Sequence, residues 1–263
     1  MTALPLLPGA KPCKSGRMGE MVEIGTGENA LPVYQSTPGL DIKGGLIVIH
    51  EVWGLNDHVR DVADRFAAQG YFAVAPDLLS STGLDVDVAA QLGEAMAHPE
   101  RRSATQPRMR PFLAPLRSKK TIAGITANAK RCFDYLKGNA AVAGRIAVTG
   151  FSFGGTYAWS LAVHEPALKA AVPFYGHANF SVDEFHHIGC PVLAFYGERD
   201  TRLIEKLPEV EVSLQEAGIS FDSVIYPNAG HAFFNDRNPK AYNEAAATDA
   251  WNRSLTFLDR HLN

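Results

Sequence analysis

Cysteine is scarce in this 263-residue chain: Cys13, Cys132 and Cys190 stand far apart, with no C-x-x-C pair among them. Three scattered thiols argue against a disulfide framework or a structural zinc site, so all three are expected reduced and mostly buried. No stretch approaches the ~18 consecutive apolar residues of a membrane-spanning helix. An excess of positive charge is also missing. Lys and Arg number 25 against 28 Asp and Glu, which leaves no electrostatic footprint for nucleic acid or an anionic membrane surface. Residues 1–17, MTALPLLPGAKPCKSGR, put their apolar part before the basic residues, the reverse of a secretory signal. They are expected as a tail on a cytoplasmic protein. There is no internal repeat and no low-complexity tract. The expected partner is a small molecule, with no cofactor and no metal, acting on a monomer or small homo-oligomer.

What is present is an alternation. The turn formers GTGEN between two short extended stretches read as an N-terminal hairpin over GEMVEIGTGENALPVYQST. Beyond it the apolar runs GLIVIH, YFAVAPDL, RIAVTG, AAVPFYG, CPVLAFYG and DSVIYP, bounded by Gly and Pro, alternate with segments of helical period. Continuous rather than every-other-residue apolarity predicts parallel strands covered on both faces, an α/β fold. Asn56 and Asp57 occupy the N-cap region and Gly70 follows DVADRFAAQ, so 57–69 is predicted helical. Ala247, Trp251, Leu255, Leu258 and Leu262 recur at intervals of three and four, one apolar stripe on a closing helix. Residues 18–263 are expected to form one domain. The stretch 78–118 breaks the rhythm: PERRSATQPRMRPFLAPLRSKK carries seven basic residues, one acid and four prolines. It is expected as a surface excursion, a loop or lid rather than one regular helix. A basic run without aromatic interleaving is a weak nucleic-acid signal.

The chemistry-bearing stretch is Gly150-Phe151-Ser152-Phe153-Gly154, directly after the strand RIAVT and directly before the helical GTYAWSLAVHE. A G-x-S-x-G in that context places serine on a tight, strained strand-to-helix turn, with glycines where side chains would collide. The alternative for Ser152 is a serine that merely caps this helix. A hydroxyl is a weak nucleophile and needs a base and a group that orients the base. Asp200 follows the strand of CPVLAFYGERD and His231 follows the strand of DSVIYPNAGH, in the chain order Ser, Asp, His of α/β hydrolases. Asp183 lies in the connection that also holds His177, His186 and His187, and Asp222 opens a strand instead of leaving one, so both are weaker choices. The backbone N-H of Phe153, after the nucleophile, and of Val52, in the loop after the first core strand, are the candidate oxyanion donors. Trp53, Phe151, Phe233 and Phe234 flank these positions and suit an apolar substrate pocket, or equally the core.

Together HEVWGLNDHVRDVADRFAAQGYFAVAPDLL, GFSFGG, YGERD and GHAFFNDRNPKAYNEAAATDAW resemble the dienelactone hydrolase family of α/β hydrolases. The resemblance covers about residues 18–262. It implies an α/β-hydrolase fold with a mostly parallel sheet, a small ester or lactone substrate, and a triad on Ser152, Asp200 and His231. It also implies oxyanion positions at Val52 and Phe153, and a glutamate near the nucleophile at Glu51. The family's usual nucleophile is cysteine in G-x-C-x-G-G, whereas this chain has Ser152. Where members that bind a substrate carboxylate carry an arginine four residues beyond the histidine, this chain has Asn235. Glu51 has a purely structural alternative, pairing with a cation such as Arg237. A thioesterase or small-acyl transferase on the same triad, and a catalytically silent binding protein of the same fold, remain the alternative readings.

Overall fold

The computed structural model describes residues 18–39 and 41–262; the expected tail at 1–17 lies outside the described residues. The Gly- and Pro-bounded apolar runs are strands. In chain order they are β1 (Glu20–Ile24), β2 (Leu31–Ser36), β3 (Gly44–Ile49), β4 (Tyr71–Pro76), β5 (Ile146–Phe151), β6 (Ala170–Phe174), β7 (Val192–Gly197) and β8 (Phe221–Tyr226). They form one sheet in the order β1-β2-β4-β3-β5-β6-β7-β8. The hairpin strand β2 pairs antiparallel with β1 and with β4, and every other neighbouring pair is parallel. All six residues of β3, β4, β5 and β7 are buried. Because successive side chains point to opposite faces, both faces must be covered.

The helices are α1 (Asp57–Ala68), α2 (Val86–Ala97), α3 (Pro99–Leu113), α4 (Lys119–Lys137), α5 (Phe153–His164), α6 (Val182–Phe185), α7 (Thr201–Glu216) and α8 (Glu244–Leu262). As the pattern predicts, the Asn56 side chain caps α1 by accepting from Val59 N at 3.3 Å. The closing helix α8 buries Ala247, Trp251, Leu258 and Leu262 and meets α1 where Trp251 packs on Phe66, ring centroids 4.5 Å apart. Helices α4 and α5 meet through a buried Thr126–Ser160 hydrogen bond of 2.9 Å.

The stretch 78–118 is not one regular helix, as expected, but the expectation of a loop is corrected. It is largely helical, with α2 capped by Asp85, which accepts from the N-H groups of Asp87 and Val88 at 2.9 and 3.1 Å. Prolines do not prevent this. Pro99 opens α3, where a missing N-H costs nothing. Pro107 and Pro111 leave the carbonyls of Ser103 and Pro107 without a helical donor, but both residues are exposed, so the freed carbonyls need not be satisfied within the protein. The seven basic residues of 99–120 are all exposed.

Strand order fixes where a ligand can reach the backbone. The chain leaves β3 for β4 on one side and returns to β5 on the other. In sheets of this kind such a reversal marks the usual ligand position, outside the carboxyl ends of the two strands, here β3 and β5.

Candidate active site

Ser152 stands at the carboxyl end of β5 with φ 55° and ψ −110°, a conformation an ordinary side chain pays about 1–3 kcal/mol to adopt. The surroundings enforce it. Ser152 N-H donates to Phe174 O at 3.0 Å, and Ser152 O accepts from Thr156 N at 3.0 Å. Gly154 sits so close to β3 that a Cβ there would lie 2.2 Å from Ile49 O. The bend therefore holds α5 against the neighbouring strand and turns the hydroxyl outward.

The loops beyond β7 and β8 bring the other two side chains to it. Asp200 occupies the N-cap position of α7, yet its carboxylate caps nothing there. It bonds His231 Nδ1 instead, while His231 Nε2 lies 2.7 Å from Ser152 Oγ. The two loops are tied by Arg199 N-H to Ala229 O at 2.9 Å and Asn228 N-H to the Glu198 carboxylate at 2.8 Å. The His231 side chain is 47% exposed and Asp200 16%, so the relay has one end in solvent and one sheltered. The edge of the His231 ring meets Tyr175, centroids 5.1 Å apart.

Glu51 is buried beside this relay, and its structural alternative is corrected: no ion pair joins it to Arg237. Asn235 donates its amide to Glu51 Oε2 at 2.7 Å and Tyr175 donates its hydroxyl to Oε1 at 3.3 Å. Burial, reinforced by the Glu51 carboxylate, pushes the Tyr175 hydroxyl well above its ordinary range, so it stays a donor. Tyr175 itself has φ 38°. Its role escaped sequence reasoning because a tyrosine ending an apolar strand reads as core.

The aromatic positions divide. Phe151, Phe233 and Phe234 are fully buried, a correction to their reading as pocket residues. Phe151 stacks on Phe234 at 5.1 Å and packs on Phe174 at 4.8 Å, so these rings face one another under the site, with no surface left for a ligand. Trp53 is half-buried, with its indole against Gly93 of α2, where a Cβ would come within 2.9 Å of the ring. Phe153 is half-buried on Tyr157. The backbone N-H of Val52 sits in the loop beyond β3 and that of Phe153 at the first residue of α5, and among the described residues neither donates to a protein acceptor. His177, set aside from sequence, lies in this region too. Its N-H bonds Thr156 Oγ1 at 3.0 Å, and partial burial lowers its imidazole pKa despite the nearby Asp200 charge.

Comparison with known proteins gives the family and the fold. The model of the dienelactone hydrolase family matches residues 31–262. A Salmonella typhimurium protein named "Putative carboxymethylenebutenolidase" is 31% identical over 244 residues, covering 88% of this chain and 83% of its own. One of the same name from Saccharolobus solfataricus is 32% identical over 235 residues, covering 83% and 90%. Among solved structures, a "Putative Dienelactone Hydrolase" from Klebsiella pneumoniae matches with TM-score 0.76 at 27% identity, covering 91% of this chain and 97% of its own. An esterase from Thermogutta terrifontis shares the fold, with TM-score 0.62 at 16% identity over 92% of each chain.

Proposed function

Because the chain belongs to the dienelactone hydrolase family, we propose that it hydrolyses small lactones or carboxylic esters through an acyl-enzyme on Ser152. The observation that carries this reading is the unbroken hydrogen-bond line from Ser152 Oγ through His231 to Asp200, ending on a backbone bend that exposes the hydroxyl.

In this mechanism Ser152 Oγ attacks the ester carbonyl carbon as His231 Nε2 takes the hydroxyl proton. Asp200 holds Nδ1-H and stabilises the imidazolium that forms. The carbonyl oxygen becomes an oxyanion, received by the N-H groups of Val52 and Phe153. Collapse breaks the bond to the leaving oxygen, which takes the proton from His231. Water, deprotonated by the same imidazole, then releases the acid and restores Ser152.

Serine where the family usually has cysteine makes the histidine indispensable. A hydroxyl gives up its proton far less readily than a thiol, so Glu51 is a poor base for it and the task falls to His231. Asn235 shapes the substrate class. Its amide is committed to Glu51, so this position offers no cation to a substrate carboxylate, and the buried Glu51 charge would repel one. The preferred substrates are therefore neutral esters or lactones.

A panel of neutral lactones, aryl esters, a thioester and a carboxylate-bearing lactone tests the reading with wild type and Ser152→Ala. Wild type should favour the neutral oxygen esters, and the variant should lose on the order of 10³-fold or more in kcat. Equal rates in the two proteins would end the proposal.

A further inference from the structure

His50 is a wholly buried imidazole that the proposed mechanism does not use, and two of its contacts lead to the proposed oxyanion donors. Burial lowers its pKa, more than the Glu51 carbonyl and the Asp77 charge raise it, so the ring is neutral. The Leu78 backbone N-H points at Nε2 from 3.1 Å, which makes Nε2 the acceptor and leaves the proton on Nδ1. Nδ1-H in turn donates to the Glu51 carbonyl oxygen at 2.6 Å. The same oxygen accepts from Gly54 N-H at 3.2 Å. A trans peptide is planar with its C=O and N-H opposed. Gripping the Glu51 oxygen therefore sets the direction of the N-H across the same peptide bond, which belongs to Val52. The other side of the arrangement closes on the ring face: His50 stacks on Phe153, centroids 5.6 Å apart and planes 2° from parallel.

We propose that His50 is a positioning residue for the oxyanion site: it clamps the Glu51–Val52 peptide between the loop after β3 and Leu78, and steadies Phe153 by stacking. The inference rests on the reading of Val52 and Phe153 as oxyanion donors. It assigns His50 no contact with substrate and no proton transfer.

Two substitutions separate the clamp from simple packing. In His50→Asn the amide nitrogen falls near the Nδ1 position, so donation to the Glu51 carbonyl survives and the Leu78 contact is lost. In His50→Gln the longer side chain reaches the Nε2 position, so the Leu78 acceptor survives and the grip on Glu51 is lost. Each gives up one hydrogen bond, so the two should unfold at similar temperatures. Complete loss of an oxyanion donor costs about 10²- to 10³-fold. A donor left in place but unsteered should cost less, so kcat of the Gln variant should fall about 10-fold or more below that of the Asn variant, with KM of the two within about twofold. Equal kcat values, or an effect confined to KM, overturn the assignment. A second measurement needs no variant: ¹⁵N NMR of the intact protein should find the His50 ring neutral with its proton on Nδ1, and a proton on Nε2 overturns the proposal. Failure of the parent reading shows separately, as wild-type turnover retained by Ser152→Ala.

Discussion

At the residue scale the site depends on carboxylates held by very different partners. Asp200 caps no helix and faces His231, Glu51 is held by an amide and a phenol, and Asp236 anchors the segment just beyond His231 to α1. Burial alone would raise the Asp236 carboxyl, but His58, 3.1 Å away, and Arg65 outweigh it and hold the pKa well below the usual carboxylate range. A depressed native pKa stabilises the fold fully above the unfolded value, near ~4, and the contribution fades as pH falls below it. Asp236→Asn should therefore destabilise by on the order of 3 kcal/mol at neutral pH. In chemical denaturation the gap to wild type should narrow below about pH 4; a gap that stays constant with pH contradicts this account. The three residues of the relay were legible from sequence because each follows an apolar strand. The fates of Phe151, Phe233 and Phe234 were not, since a phenylalanine beside a catalytic residue looks the same whether it faces ligand or core.

At the scale of elements, the critical joint is where β5 turns into α5 against β3. Gly154 permits the contact, and Ala there would bring a methyl within 2.2 Å of Ile49 O and 2.6 Å of His50 O. Backbone oxygens in a central strand give way poorly, so Gly154→Ala should push α5 off β3 and carry Ser152 with it. The expected outcome is a thermal midpoint several degrees lower together with reduced kcat. A variant with the wild-type midpoint and rate would show the joint to be looser than described. The parallel strands were legible because burial on both faces writes itself as unbroken apolar runs. Helix α3 was not, because its prolines are strong local breakers, and only exposure of the freed carbonyls makes them tolerable.

At the scale of the whole molecule, the sheet gathers groups separated by 31 and 79 positions in sequence into one relay. The carboxyl ends of β5, β7 and β8 deliver Ser152, Asp200 and His231, and that of β3 delivers the loop holding His50 to Trp53. Trp53 in turn meets Gly93 of α2, so α2 packs directly on that loop. Chain order and strand pattern made the meeting point of the relay legible. The contact of α2 with the loop after β3 was not, since a meeting such as Trp53 on Gly93 has no local signature.

The most direct measurement is the site of covalent capture. After reaction with a fluorophosphonate, peptide mass analysis should place one adduct on Ser152, formed much more slowly in His231→Ala and absent in Ser152→Ala. An unmodified Ser152 in protein that still turns over esters, or an adduct on another residue, would contradict the account.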